Sequence, residues 1–431
     1  MGTLTKDNYI GSQGPYLGIG EAQFIKRPAR EISLSHRFRK LPLVLITCLL
    51  AAFAMSVMGP QIPLVKQFTS LKWGFLIGFT LLALIQSGIC SRSLRGIVPK
   101  LFGIFIIVAT VSTMLFSAHL ENGLQRVVSF ILLWIIAFAA PFPSDPSVRL
   151  HYWTVSSLIV ASVVTLSSFA SIFLGGGYMS GRLAGITSNP NTLGTFSMMF
   201  TVGMFSLILG QRKVIYYPLF AVGFSVIFLT GSRASFISAI GALLALLSLS
   251  GHQKSLRRIS LVVILVLFSI QAVMYAFSSK DSQNLFNRER GFETREIVWQ
   301  RQIDSFLTSP LIGCGLEIQE SIASDLRARV GGEGSYTDIL SVAGVLGGAP
   351  FVMALLWGLL AIFTNLRKKL ARSKLNHQIS WEMCAFGLLV GILINSIGEA
   401  YMAAVGAMQP IYVWVILGTV SSIAKFKPNK K

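Results

Sequence analysis

VIYYPLFAVGFSVIFLTGSRASFISAIGALLALLSLS, residues 214–250, carries a single charged side chain, Arg233. The apolar stretches 214–230 and 234–250 flank it. Each is at the lower limit of what a helix rising about 1.5 Å per residue needs to cross a hydrocarbon layer of about 30 Å. Gly231-Ser232-Arg233 leaves little room for a loop between them. The stretch predicts two membrane helices joined by a tight turn, with Arg233 at or just inside the interface. A guanidinium there is costly unless it is paired, solvated in a cavity or able to snorkel to the headgroups.

The same pattern recurs on both sides of this hairpin. Apolar runs at 41–59, 73–90, 98–117, 125–142, 152–174, 192–210, 259–277, 338–363, 383–402 and 409–424 complete a set of about 12 transmembrane helices. Hydrophobic residues make up 53% of the 431 and charged ones 13%, against about 25% charged in a soluble domain. The runs are continuous rather than alternating, which excludes a β-barrel. The fold class is an all-α polytopic membrane protein.

A formal net charge of +20 would suit a nucleic-acid binder, but the positions of the charges argue otherwise. With the N-terminus inside, 25 of the 37 Lys and Arg fall in cytoplasmic segments and 12 opposite, seven of those 12 in one long loop. That is the positive-inside pattern, whose force fades in long loops. No basic stripe interleaved with aromatics stands out, so no nucleic acid is expected. Cys48, Cys90, Cys314 and Cys384 are scattered without CxxC spacing, and the five His residues show no ligand spacing; neither a metal nor another cofactor is expected.

The domain organisation follows from this topology. Residues 1–40 form a cytoplasmic N-terminal tail, too long and polar for a signal-peptide n-region. Residues 41–277 hold helices one to nine, and 278–337 a large extracytoplasmic loop between helices 9 and 10. Residues 338–424 hold the last three helices, and 425–431 a basic cytoplasmic tail. Within the loop, Arg295–Leu307 has apolar residues at helical spacing, with Ile297, Ile303, Phe306 and Leu307 as candidates for one face of a surface helix. No internal repeat of the kind that marks many secondary transporters is evident.

Four polar clusters fall on the outer side. The first is 181–191, GRLAGITSNPN, where Asn189-Pro190-Asn191 reads as a helix cap and Arg182 as an interface anchor or a phosphate contact. The second is Gly231-Ser232-Arg233: snorkelling explains Arg233 simply, whereas a guanidinium fork beside the N–H groups opening the next helix would grip phosphate oxygens. The third is the large loop with Arg288, Arg290, Arg295 and a terminal GGEGSY. Its Glu333 is either a solvated carboxylate or a general base with a pKa raised by burial. The fourth, Asn395–Tyr401, contains Glu399, whose apolar surroundings make plain solvation a poorer explanation. Tyr336 and Asp338 read as an interfacial anchor and a cap. Gly313-Cys314-Gly315 lacks the context of a dinucleotide site, and Gly344, Gly347 and Gly348 read as close helix packing.

In order, the chain presents Arg182-x-x-Gly185 with Asn189-Pro190-Asn191-x-Leu193-Gly194, then Thr230-Gly231-Ser232-Arg233, then Arg295-x-x-x-Trp299. Pro310-Leu311-Ile312-Gly313-x-Gly315 follows, then Ser335-Tyr336-x-x-x-Leu340-x-x-x-Gly344-x-x-Gly347, then Glu399. This series, over about residues 180–402, resembles the O-antigen ligase and Wzy-type polysaccharide polymerase superfamily, exopolysaccharide polymerases included. The resemblance implies a GT-C-like, metal-independent inverting glycosyltransferase of the bacterial inner membrane, with both termini cytoplasmic. Such an enzyme moves a glycan from an undecaprenyl-diphosphate carrier to an acceptor hydroxyl at the outer face. Carried over, Arg182 and Arg233 would hold the diphosphate, with Arg295 a third contact, and Glu333 or Glu399 would activate the acceptor.

Where many ligases have His-Asn before the Ser-Tyr pair, this chain has Glu333-Gly334, which favours a polymerase joining lipid-linked repeat units over a ligase. A flippase or other transporter is the reading from another class. It would need polar groups deep in the bundle rather than gathered at one face. Expected partners are the lipid-linked glycan, the bilayer, and the flippase and chain-length regulator of the same pathway.

Overall fold

The computed structural model describes residues 41–423 apart from 59–64, 90–93, 118, 180, 212, 250–289, 317–333, 373–376 and 403–405; of helical residues 65–70, 290–297, 372 and 377 only the backbone is described. The expected span 259–277, both tails and about half of the large loop (278–289 and 317–333) lie outside these residues. The rest is mostly helical. In chain order the helices are α1 (Leu41–Met55), α2 (Val65–Ser87), α3 (Ile97–Phe116), α4 (Leu120–Trp134, continued by a π turn), α5 (Pro146–Phe173) and α6 (Pro190–Gln211). They continue with α7 (Tyr216–Thr230), α8 (Arg233–Leu249), α9 (Arg290–Thr308), α10 (Ser335–Arg372), α11 (His377–Gly398) and α12 (Met408–Ile423). Among the described residues six of these, α3 to α6, α10 and α11, are long and apolar enough to cross a membrane, while α1, α2, α7 and α8 are shorter apolar helices. The chain is an integral membrane protein of all-α class, and its only described strands form a two-residue hairpin, Tyr178–Met179 with Arg182–Leu183.

Helix α6 is the axis of the bundle. It packs against α5, α7, α8 and α11, and its side chains from Leu193 to Leu209 are all buried. Glycine makes this close approach possible. A Cβ at Gly203 would meet Leu158 at 2.4 Å, and one at Gly194 would meet Ser232 and Ser235 at 2.8 Å. A second centre accounts for part of the heavy use of Phe. Phe102 stacks on Trp414 at 3.8 Å, and Phe130, Phe138 and Phe351 close edge-on around Phe102, an arrangement the ring quadrupoles favour. This cluster joins α3, α4, α10 and α12.

One end of the bundle is closed by polar ties. Asp145 caps α5, accepting from the N–H groups of Ser147 (2.7 Å) and Val148 (3.0 Å), with Pro146 at the first helical position, the pairing that a Pro-led helix start favours. Arg149 is 1% exposed and donates to Thr419 Oγ1 at 2.8 Å and Ser422 Oγ at 3.1 Å, so one of the basic residues counted for topology is a buried strut. Lys369 of α10 pairs with Glu382 of α11.

Two sequence expectations change. Helix α10 begins at Ser335 rather than 338 and is broken at Gly344, whose φ of 58° and ψ of −164° are not helical. Segment 310–315 docks into the break: Cys314 N–H donates to Ser341 O (2.9 Å), Gly315 N–H to Val342 O (3.0 Å), Val345 N–H to Pro310 O (2.9 Å) and Leu346 N–H to Leu311 O (3.0 Å). The chain comes too close for side chains there, since a Cβ at Gly313 would lie 2.3 Å from Val342 and one at Gly344 2.4 Å from Leu311. Gly313, Gly315 and Gly344 therefore serve one backbone clamp, a role that neither the dinucleotide comparison nor helix packing supplied. Gly347 does pack helices as expected, facing Val108 of α3.

The second change concerns α9. The helix forms, but its inner face carries Val298 (9% exposed) and Gln302 (7%), while Ile303 and Leu307 point outward. The apolar spacing identified the helix and mistook its face, because a buried glutamine is invisible to a hydrophobic pattern.

Candidate active site

The polar clusters named from the sequence converge at the other end of the bundle. Residues 177–179 and 181–185 pair as a hairpin in which Ala184 and Gly185 N–H groups donate to Gly177 O at 2.7 and 2.8 Å. Gly185 sits at φ 58° against Ser168, whose Cβ would be 2.2 Å from a Cβ added there, so α5 braces the turn. Asn189 Oδ1 accepts from Asn191 N–H at 2.8 Å and Pro190 opens α6, the cap read from the sequence. The end of α1 contributes as well: Ser188 donates through N–H (3.1 Å) and Oγ (3.0 Å) to Val57 O.

Arg182 leaves this hairpin half-buried. Its Nε donates to Thr230 O at 2.6 Å and its Nη2 to Asn191 Oδ1 at 2.6 Å. One guanidinium thus ties the hairpin to the start of α6 and the end of α7. Three residues after Thr230 comes Arg233, with an exposed side chain, as the first residue of α8. Gly231 makes the left-handed turn between the helices at φ 58°, where a residue with a Cβ is strained. Ser232 caps α8, its carbonyl accepting from Phe236 N–H (3.0 Å) and its Oγ from Ser235 N–H (3.4 Å). Part of the N–H array expected to meet a phosphate is therefore occupied by the protein's own cap.

From α8 the network passes to α11. Ser232 Oγ donates to Ser235 Oγ (3.0 Å), and Asn395 Nδ2, fully buried, donates to the same oxygen (3.1 Å). Asn395 O accepts from Glu399 N–H at 3.1 Å. Ser335, the first residue of α10, donates from Oγ to Glu399 O (2.8 Å) and accepts from Met402 N–H (2.9 Å). Gly334 is so close to this segment that a Cβ there would lie 3.3 Å from Ile397 O and 2.8 Å from Trp299 Nε1. The Tyr336 hydroxyl donates to Leu393 O at 3.0 Å, which makes it an internal tie.

Arg182, Arg233 and Glu399 are thus brought to one end of the bundle, connected by hydrogen bonds and short turns, with Glu399 half-buried. Glu333 lies outside the described residues; its neighbour Gly334 is part of the network. Arg295 stands on α9, where only the backbone is described. Lys72 and Arg126 were counted from the sequence only as charges. Lys72 Nζ donates to Ser56 Oγ (3.3 Å) and Gly406 O (3.2 Å), and Arg126 Nη1 to Leu316 O (2.7 Å).

Asp338 does not act as a cap. Its backbone N–H donates to Gly334 O at 3.2 Å, and its side chain is 7% exposed with Oδ1 lacking a partner among the described residues. Tyr178, in the first strand of the hairpin opposite Leu183, has its phenol pKa pushed up by burial, so its hydroxyl remains a proton donor at neutral pH.

The fold and these clusters define a helical membrane protein with a cationic and carboxylate-bearing polar site at one end. Residues 218–352, about a third of the chain, match the family model described as O-antigen ligase, and over that stretch the chain is similar to the O-antigen ligase and Wzy-type superfamily. The matched stretch includes Arg233, Arg295, Glu333 and the Gly344 break; Arg182 and Glu399 fall outside it and are joined to it by the contacts above. No curated protein matches the chain significantly.

Proposed function

We propose that the protein is a polymerase that joins undecaprenyl-diphosphate-linked oligosaccharide repeat units into an exopolysaccharide or O-antigen chain. It works at the outer face of the bacterial inner membrane with both termini in the cytoplasm. The observation that carries this reading is the continuous set of ties from Arg182 through Thr230, Ser232, Ser235 and Asn395 to Glu399 and Ser335. It gathers cations and a carboxylate at one end of an apolar bundle, in a chain whose residues 218–352 match the O-antigen ligase family.

The chemistry asked of such a site is inverting transfer without a metal. Arg233, and Arg182 beside it, neutralise the diphosphate as it leaves, since a planar guanidinium matches phosphate oxygens bidentately. Arg295 on α9 is a third contact. Glu333 takes the proton from the attacking hydroxyl, and Glu399 supports it across the segment that Ser335 holds. The reaction breaks the bond between the anomeric carbon and the diphosphate oxygen and forms one to the acceptor oxygen, and the lipid diphosphate departs with the electron pair.

In cells, Arg233→Ala and Arg233→Lys should abolish polymer while the protein remains in the membrane. Normal polymer from both removes Arg233 from the mechanism. Glu333→Gln tests the base in the same way. The ligase reading keeps the same residues and changes only the acceptor. Glu333-Gly334, where many ligases have His-Asn, favours the polymerase.

A further inference from the structure

Two buried polar side chains beside the site are left incomplete by the protein itself. Among the described residues, Asp338 Oδ1 and Gln302 Nε2 have no hydrogen-bond partner, although each residue is only 7% exposed. Buried polar atoms are nearly always satisfied, and an exception calls for an explanation such as an absent polar guest. The two belong to one neighbourhood. Thr337, next to Asp338, donates from Oγ1 to Gln302 Oε1, which orients the amide and leaves its NH2 as the incomplete end. Thr337 Oγ1 and Asp338 N–H both converge on Gly334 O, at 3.1 and 3.2 Å. Trp299, one turn before Gln302 on α9, sets its indole N–H where a Gly334 side chain would otherwise stand.

The surrounding charges do not complete the pair. Arg126 lies close enough to act on the Asp338 carboxylate, but the guanidinium bond it makes is to Leu316 O at 2.7 Å. Ser341 Oγ, on the next turn of α10, donates to Asp338 O rather than to the carboxylate (2.8 Å). The site therefore offers one carboxylate acceptor and one amide donor, with an indole to one side. Protein groups that recognise the adjacent hydroxyls of an uncharged sugar have this composition: a carboxylate accepts from one hydroxyl, an amide N–H donates to its neighbour, and an aromatic ring covers an apolar face.

We propose that Asp338 and Gln302, on either side of Thr337, form an acceptor subsite that binds vicinal hydroxyls of an uncharged sugar at the end of the glycan to be extended. This rests on the polymerase or ligase reading for its meaning in the reaction, since a sugar bound here stands one helical turn from Gly334, the residue that follows Glu333 in the sequence. Asp338 and Gln302 are positioning residues in it, and neither transfers a proton.

The test uses the full-length protein in lipid nanodiscs and, as probe, the oligosaccharide freed by mild acid from the cells' own lipid-linked repeat units. Saturation-transfer NMR without donor lipid measures binding of that probe to the wild type, Asp338→Asn and Gln302→Leu. The two variants alter different helices, and thermal melting confirms their folding. Expected is binding to the wild type that weakens about tenfold or more in both variants, the loss typical of a hydrogen bond to a charged or buried partner. In the transfer assay the half-saturating acceptor concentration rises by the same factor while that of the donor lipid stays within about twofold. No binding to the wild type, or equal binding to all three proteins, overturns the subsite. Binding lost in the variants with no transfer by the wild type keeps the subsite and overturns the polymerase reading instead.

Discussion

The Arg182 guanidinium donates from Nε to the carbonyl oxygen of Thr230 at 2.6 Å, across 48 positions of sequence. That carbonyl ends α7, three residues before Arg233 opens α8. The first cationic cluster is thus fastened to the second, and substrate phosphate would meet both on a fixed frame. Arg182→Lys keeps the charge and loses the fork that reaches Thr230 and Asn191 together. It should cost about 1.5–3 kcal/mol, as expected for a hydrogen bond from a charged group, and transfer should fall with it. Thermal unfolding in detergent reads the first effect and polymer yield the second. An unchanged melting temperature shows that Arg182 does not fasten the hairpin.

Ser335 is the smallest link in the network and joins two segments that carry different candidates, Glu333 and Glu399. Ser335→Ala removes a donor to Glu399 O and an acceptor for Met402 N–H, both in a site where the serine is fully buried. About 1–3 kcal/mol of stability is expected to go, the cost of unsatisfied buried groups. Amide exchange should quicken at Met402. Exchange at wild-type rates there means that the bond contributes nothing.

The break in α10 depends on backbone contact. Gly344→Ala places a methyl 2.4 Å from the Leu311 carbonyl group at a φ of 58°, so the left-handed strain of about 1–2 kcal/mol adds to a collision that only backbone movement relieves. The variant should melt well below the wild type and lose transfer, whereas Gly347→Ala, whose methyl meets the side chains of Ala343 (2.5 Å) and Val108 (3.2 Å) and no backbone, should be milder. Equal effects from the two would remove the distinction between a backbone clamp and ordinary helix packing.

At the far end of the bundle, Asp145 sets a pH dependence unrelated to the site. Partial burial works to raise its pKa, but the Ser147 and Val148 hydrogen bonds and the Arg149 charge prevail and hold the carboxyl below its ordinary value of 3.8. A carboxyl depressed in the folded state stabilises above its unfolded pKa, and that stabilisation is lost as pH falls through the folded value. Asp145→Ala should therefore cost about 1 kcal/mol at pH 7, as helix caps do, and progressively less below about pH 4. Melting curves at pH 7 and pH 3.5 check the sign. A cost that grows in acid contradicts it.

Much of the fold was legible because membrane helices announce themselves by length and apolarity. The hairpin 214–250 gave α7, its turn and α8 within a residue or two, and Asn189-Pro190-Asn191 gave the start of α6. Arg182 and Arg233 stood out because a charge within apolar sequence needs a reason. What escaped notice has a common physical cause. Gly313, Gly315 and Gly344 act through backbone approach between segments some 30 positions apart, and no pattern of side chains records that. Arg126, Lys72 and Asn395 gain their roles from partners distant in sequence. Asp338 read as an ordinary helix cap, and Gln302, one polar residue among many on α9, stood out only through its burial.

Purified wild-type protein in nanodiscs, given a lipid-linked repeat unit alone, offers the most direct measurement. If cations and a carboxylate at one end of the bundle cut glycan from its carrier, undecaprenyl diphosphate is released as a ladder of longer glycans appears, and Arg233→Lys releases none. Wild-type protein that liberates no undecaprenyl diphosphate, with or without a second acceptor, contradicts that chemistry.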